Sequence, residues 1–522
     1  MIIKNGVLES YTGNEKTVVI PSSVTSIGDH AFPACKSITE IIIPESVTAI
    51  GNYSFVSCKN LIKINIPSSV TSIGEYAFSR CESLTEIIIP QSVTAIGNYS
   101  FFECKHLTKI IISSSITSIG ECTFYGCGSL TKIIIPESVT SIGNSAFSRC
   151  YSLTEINIPE SVTHIGKGAF SSCESLTEFN IPQSVTCIEN ETFYCCLSLT
   201  KINISSSITD IGKMAFYSCT DLPEIYIPSS VTSIGSNAFS YCVSLKRITV
   251  DSRNDYFSSQ DGILFDKSRT TILKYSEALS DSEYTIPDFV TNIGDYAFSG
   301  GYDYLTTITL TSSLTNISEN AFYDCYSLSK IIVDTSNNYF SSQDGILFDK
   351  NKNTIIKVPE KANISDYSIP SSVTNIEDAA FRGCSSLIEI HIPSSVTRIG
   401  DDAFSLCTQL KEIKVDSDNE YFSSEDGVLF DKDKKTLLRF PENSNITEYT
   451  IPSSVTSIGK YAFCGCGKLT KISIPSTVTS MGVGALLCCD NLSEIKTPSS
   501  LWCYVISDFP EGLPAGCEII EI

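Results

Sequence analysis

Ten cysteines recur at intervals of 23 residues, at positions 35, 58, 81, 104, 127, 150, 173, 196, 219 and 242, and a phenylalanine stands three residues before each, from Phe32 to Phe239. A period this short and strict leaves few folds open. Each unit is too small to bury an apolar face alone, so units must stack, and the core grows by adding coils. That removes the expectation that a chain of 522 residues divides into several globular cores.

One full unit is CESLTEIIIPQSVTAIGNYSFFE, from Cys81 to Glu103, and sixteen such units end at Phe32 through Leu486. Its L-x-x-I-x-I stretch is β-branched and alternates apolar with polar, which predicts a short strand with one face inward. Pro44, Pro67, Pro90, Pro136 and Pro159 end that strand, because proline cannot donate to a ladder. V-T-x-I then continues extended with Val and Ile inward. Gly28, Gly51, Gly74 and Gly97 mark a bend that needs small bulk or unusual dihedrals. Glu189, Ser318 and Glu377 occupy that position elsewhere, so the bend does not always demand positive φ. The A-F-x-x-C segment is too short for a standard helix and predicts one turn of 3-10 or α with Phe driven into the core.

The predicted fold is therefore a β-rich leucine-rich-repeat solenoid: short parallel strands on a concave face, extended segments and one-turn helices elsewhere. With strands about 4.8 Å apart, sixteen coils form an arc on the order of 80 Å. Residues 1–19 form an N-terminal cap, 20–247 the regular repeats, 248–473 repeats with inserts, and 474–522 the last repeat and a C-terminal cap, in one continuous solenoid. The inserts show as spacings of 59 residues, Phe239 to Phe298, Phe322 to Phe381 and Phe404 to Phe463. They fall at about 251–285, 334–368 and 416–450. Each carries I/V-L-F-D-K-x-x-x-T-I/L-I/L, which predicts a β-hairpin with polar turn residues, projecting from one edge.

At C-x-S-L-x-x-I-x-I-P-x-S-V-T-x-I-G-x-x-A-F the sequence resembles the BspA-type leucine-rich-repeat proteins, a surface-antigen family, over nearly its whole length. The insert Y-F-S-S-x-D-G-I/V-L-F-D-K, at Tyr256, Tyr339 and Tyr421, is similar to a strand pair of that family. The resemblance implies a right-handed solenoid exposed at a cell surface that binds host matrix proteins, other cells or itself. The opening MIIKNGVLESYTGNEK lacks the apolar core of a signal peptide, and no apolar run approaches the roughly 20 residues of a membrane span. A cell-surface or secreted location is thus expected from the resemblance, with a cytoplasmic one as the alternative and no membrane insertion.

Acidic residues outnumber basic ones 58 to 36, and a net charge of −22 repels phosphate backbones, which excludes nucleic acid as a partner. No phosphate-loop, nucleophile-elbow or H-E-x-x-H motif occurs, and the four histidines, His30, His106, His164 and His391, are scattered. Neither catalysis nor a cofactor is expected. Twenty-two cysteines with no C-x-x-C pair argue against structural zinc, and Asp416, Asp418 and Glu420 lack the glycine of a calcium loop. Fifteen cysteines share one repeat phase and read as a buried, reduced ladder, while Cys503 and Cys517 form the candidate disulfide. Eight N-x-S/T sequons occur in a chain rich in serine and threonine.

Two rows flank the inward Ile of each strand. One alternates acids and bases from Glu40 to Glu494, nearly balanced. The other places Ile42, Ile88, Ile111 and Ile134 on the surface, then Asn157, Asn180, Asn203 and Tyr226. An exposed apolar stripe followed by amides is the candidate protein-binding site. The expected function is a non-enzymatic protein-binding or adhesion scaffold; the alternative is a self-associating structural solenoid or an intracellular interaction scaffold.

Overall fold

The computed structural model describes every residue except 34, 301–303, 510–512 and 515. It comprises two compact units, Met1–Leu279 and Ser280–Ile522.

In the first unit each coil holds two short strands, as in Glu40–Ile42 and Ala49–Ile50. Coils stack in parallel with a register of one repeat: Glu40 faces Lys63 and Ile41 faces Ile64. Within a strand the middle residue points inward, so Ile87 is buried while Glu86 and Ile88 are exposed. Between the two strands Pro44 opens a turn closed by the Val47 N–H on its carbonyl at 3.1 Å.

The repeated Ser, Thr and Cys positions follow from backbone accounting, since every buried carbonyl needs a donor. Ser46 and Ser69 donate to the Val24 and Val47 carbonyls of the preceding coil at 2.6 Å. Thr48 and Thr71 do the same to Thr25 and Thr48 at 3.2 Å. The Cys81 and Cys104 thiols reach the Phe55 and Phe78 carbonyls at 3.2 Å. Cysteine suits that slot because it is small, apolar and still a weak donor. Burial pushes the Cys104 and Cys150 thiols up to about 12, so they stay protonated and unreactive. Alongside them the buried phenylalanines stack ring on ring, Phe32 on Phe55 at 5.0 Å and Phe147 on Phe170 at 5.5 Å.

Two expectations need correction and one open alternative is resolved. The A-F-x-x-C segments are not one-turn helices: they are successive β-turns, and among the described residues the helices are Ser499–Leu501 and Trp502–Ser507. Left-handed residues flank the repeated Phe in most coils, such as Tyr53 (φ 54°) and Ser57 (φ 58°) around Phe55, which interrupts any helix. Their N–H groups point along the stack instead, Tyr53 to the Glu75 carbonyl and Ser57 to that of Ser79, both at 2.8 Å. Secondly, Gly74 and Gly97 need small bulk and not special dihedrals. A Cβ on Gly97 would sit 2.4 Å from the Glu75 nitrogen of the preceding coil.

Thirdly, the predicted hairpin of each insert is present but does not project, and a further strand precedes it. Each is a three-stranded antiparallel meander, as in Phe340–Gln343, Ile346–Asp349 and Thr354–Lys357. A left-handed Asp344-Gly345 pair turns the first strand into the second. Ile346, Leu347 and Phe348 are buried, and the third strand takes a rung of the solenoid, Ile355 pairing in parallel with Ile376. Asn337 anchors the meander: its amide donates to the Thr311 and Leu314 carbonyls and accepts from the Tyr339 and Phe340 N–H groups, at 2.8–2.9 Å. Asn254 and Asn419 repeat the arrangement.

Joining the meander to the next coil shortens the turn. Three positions separate Leu437 from Phe440, where five separate Ile458 from Phe463 in the next coil. A buried ion pair patches the gap: Lys274 with Glu277, Lys357 with Glu360, Arg439 with Glu442. The acid accepts the N–H stranded on the preceding coil, Tyr241 donating to Glu277 at 2.7 Å. The arginine donates to the Cys464 carbonyl of the following coil at 3.1 Å.

Glu360 is the most loosely held, 3.5 Å from Lys357 with its second oxygen buried and unpartnered. Burial, reinforced by the nearby Asp324 carboxylate, outweighs Lys357 and pushes its carboxyl up to about 7, from an ordinary 4.5. A raised folded value favours the protonated native state, so this contribution is complete below about 4.5 and is lost as pH rises through 7. Denaturant unfolding should show stability falling by about 2–3 kcal/mol over that window in the wild type, and this component of the slope should vanish in Glu360→Gln.

The ends repeat the same logic. In the first unit Tyr11 packs at a tilt against Phe32, ring centres 5.2 Å apart, and donates its N–H to the Ala31 carbonyl, standing in for a phenylalanine. In the second, the Asp508 carboxylate accepts the Gly484 and Leu486 N–H groups at 2.9 and 2.8 Å, replacing a further coil.

Candidate functional site

The first strands of the first unit set out two outward rows, because period-two alternation puts both neighbours of each buried Ile into solvent. The charged row largely neutralises itself. Lys63 lies 3.7 Å from Glu40, Lys201 3.9 Å from Glu178 and Arg247 3.6 Å from Glu224, and Lys132 pairs with Glu155. These pairs are exposed, so each is worth about 0–1 kcal/mol, and the row is a neutral frame.

The second row carries the predicted residues. Ile42, Ile88, Ile111 and Ile134 are 45, 57, 46 and 74% exposed. Asn65 interrupts the stripe, and Ile88, Ile111 and Ile134 occupy three successive coils. Beyond them Asn157, Asn180 and Asn203 are exposed on the next strands, and Asn203 donates its amide to Asn180. Tyr226 follows, half-exposed, its hydroxyl donating to Asp251 at 2.8 Å. Where stripe meets amides there is a hollow of about 290 Å³, lined by Lys132, Ile134, Glu155, Asn157, Glu178 and Asn180. The arrangement offers apolar area, amide donors and acceptors, and no uncompensated charge at its centre.

Other predicted residues lie apart. Cys503 is exposed on the short helix and Cys517 half-buried against the last coil, both free thiols. Asp416 is engaged by His391 at 3.0 Å, and among the described residues no group of three or more His, Cys, Asp or Glu is placed to hold a metal ion. His30, rather than standing alone, starts an aromatic ladder that sequence reasoning missed: His30, Tyr53, Tyr76 and Tyr99 stack at 4.8, 4.7 and 4.5 Å. Tyr at one phase of three consecutive units was the available signal.

The profile of the BspA type leucine rich repeat region matches six times, over residues 2–127, 76–185, 140–268, 274–364, 359–426 and 439–507. The chain belongs to that family. No curated protein matches it. Among solved structures, this BspA-type chain is similar to a leucine rich cell surface protein from Faecalibacterium prausnitzii, with 29% identity and TM-score 0.47 over 80% of this chain and 92% of that one. It is also similar to a leucine-rich repeat protein from Bacteroides ovatus, at 23% identity and TM-score 0.34 over 100 and 97% of the chains. For the pneumococcal vaccine antigen PcpA the values are 20% and 0.35 over 98 and 95%. Among the described residues no helix is long and apolar enough to cross a membrane.

Proposed function

We propose that this BspA-type protein is a non-enzymatic scaffold that captures a protein partner at a cell surface, through the first-strand face of its first unit. The observation that carries this reading is the apolar stripe Ile88, Ile111 and Ile134, held in solvent by stacked strands, with the Lys132–Glu155 ion pair at its edge. Exposed apolar area in contiguous rows marks partner surfaces far more often than scattered residues do. A host matrix protein or another cell's surface protein is the partner class that the family resemblance implies. The face is built before binding, so little ordering entropy is lost there.

The double change Ile88→Lys and Ile134→Lys tests it. Both side chains point outward, so the thermal midpoint should stay within a few degrees of wild type. Affinity for a partner captured by the intact chain should fall roughly 100-fold, because two desolvated charges replace apolar contacts. Unchanged capture by the folded variant would exclude this face.

A further inference from the structure

The residue after the buried Phe changes size along the first unit, in the order Val56, Ser79, Phe102, Tyr125 and Ser148. Phe102 and Tyr125 are half-exposed and stack with ring centres 4.8 Å apart. Ser79 and Val56 hold that phase in the two preceding coils, so the stack stops at Phe102 and a hollow of about 330 Å³ opens there. Tyr76 and Tyr99 line it beside Phe102, and Tyr99 meets Phe102 at a tilt, 5.9 Å between centres. Arg80 lines it as well, its guanidinium carbon 6.0 Å from the centre of the Phe102 ring. The Arg80 side chain is 54% exposed, and its Nε lies 3.1 Å from the Glu103 carboxylate, which leaves the terminal nitrogens to donate to a ligand.

We propose that this hollow binds a neutral pyranose, one C–H face of the sugar laid on the Phe102 ring and its vicinal hydroxyls bonded to the Arg80–Glu103 pair. Aromatic faces carry negative charge and attract the polarised C–H groups that a sugar ring presents on one side. At the rim a donor and an acceptor stand together, and hydroxyls serve both. The charge pattern favours a neutral occupant: an anion would meet Glu103 and a cation would meet Arg80. A proline ring would use Phe102 but make no hydrogen bond to either charged group. The volume lies at the low end of small-ligand clefts, roughly 300–1,000 Å³, which suits one sugar ring. Because the Arg80–Glu103 pair is exposed, it is worth only about 0–1 kcal/mol, and the guanidinium moves outward at small cost to admit the ring. None of these residues belongs to the first-strand face, so the site stands or falls separately from protein capture there.

Saturation-transfer NMR on the full chain, with the methyl glycosides of glucose, galactose, mannose and N-acetylglucosamine and with an acetylated proline amide, tests this. At least one glycoside should receive saturation, strongest at the C–H protons of one ring face, and the proline amide none. Phe102→Ser and Arg80→Ser should each weaken that glycoside roughly 10-fold, through loss of the stacking face and of the donors. Serine already stands at the same phases in the preceding coils, at Ser79 and Ser57, so both variants should fold. The Ile88→Lys, Ile134→Lys variant should bind the glycoside as the wild type does. Saturation of none of the four glycosides, of the proline amide alone, or of a glycoside that binds Phe102→Ser as well as wild type, overturns the proposal.

Discussion

Replacing Arg439 by Met should lower the unfolding free energy by about 3–5 kcal/mol, the largest loss expected from a single site, because it strands a buried carboxylate. Glu442 is almost fully buried and has Arg439 as its ion-pair partner. The change also removes the donor to the Cys464 carbonyl, so the shortened turn loses its patch on both sides. The double variant Arg439→Met with Glu442→Leu should recover only part of the loss. Charge is then no longer buried alone, but the Leu406 N–H and Cys464 carbonyl remain unpaired. Urea unfolding gives the totals, and hydrogen exchange should place the loosening in the coils around residues 404–466, since solenoid coils couple chiefly to their neighbours. Full recovery in the double variant would show that the pair is a dispensable ion pair and not a patch in the backbone ladder.

Asn337→Ala should cost about 3–5 kcal/mol, nearly as much, through four hydrogen bonds made by one fully buried side chain. Removal leaves two carbonyls and two N–H groups without partners where the meander leaves the preceding coil. Asn337→Asp is the sharper test. The carboxylate still accepts from Tyr339 and Phe340 but turns an anion toward the Thr311 and Leu314 carbonyls, so at neutral pH it should destabilise at least as much as alanine. An aspartate variant as stable as wild type in thermal melts would contradict the four-bond anchor.

The coil itself was readable because its determinants are periodic and local. Buried Ile, Val, Phe and Cys phases mark the inward face, and proline marks the end of the first strand. The turns around each Phe were not, because most left-handed residues there are ordinary ones, such as Tyr53, Arg80 and Glu103, and Gly or Asn stands there only in some coils, as at Gly126 and Asn237. Their conformation is imposed by the neighbouring coil, which receives their N–H groups, and a local propensity argument cannot see it. The meander could have been read further: Asp261-Gly262, Asp344-Gly345 and Asp426-Gly427 are hairpin turns by composition, and they announce a strand ahead of I/V-L-F-D. The motif K/R-x-S/P-E after each insert was equally visible, yet its meaning depends on a turn two residues short, which only the stacked coils reveal. On the candidate face, alternation alone was sufficient to put Ile88, Ile111 and Ile134 outside, whereas the hollow beside Asn157 and Asn180 depends on how neighbouring side chains lean.

The claim that the first-strand face of the first unit captures a protein partner is tested most directly by placing a photoreactive side chain at position 111, in the middle of the stripe, and separately at position 140, an exposed threonine of the second-strand ladder. With the partner captured by the intact chain, irradiation should yield a covalent adduct from position 111 and none from 140. An adduct from 140 with none from 111 would contradict the account.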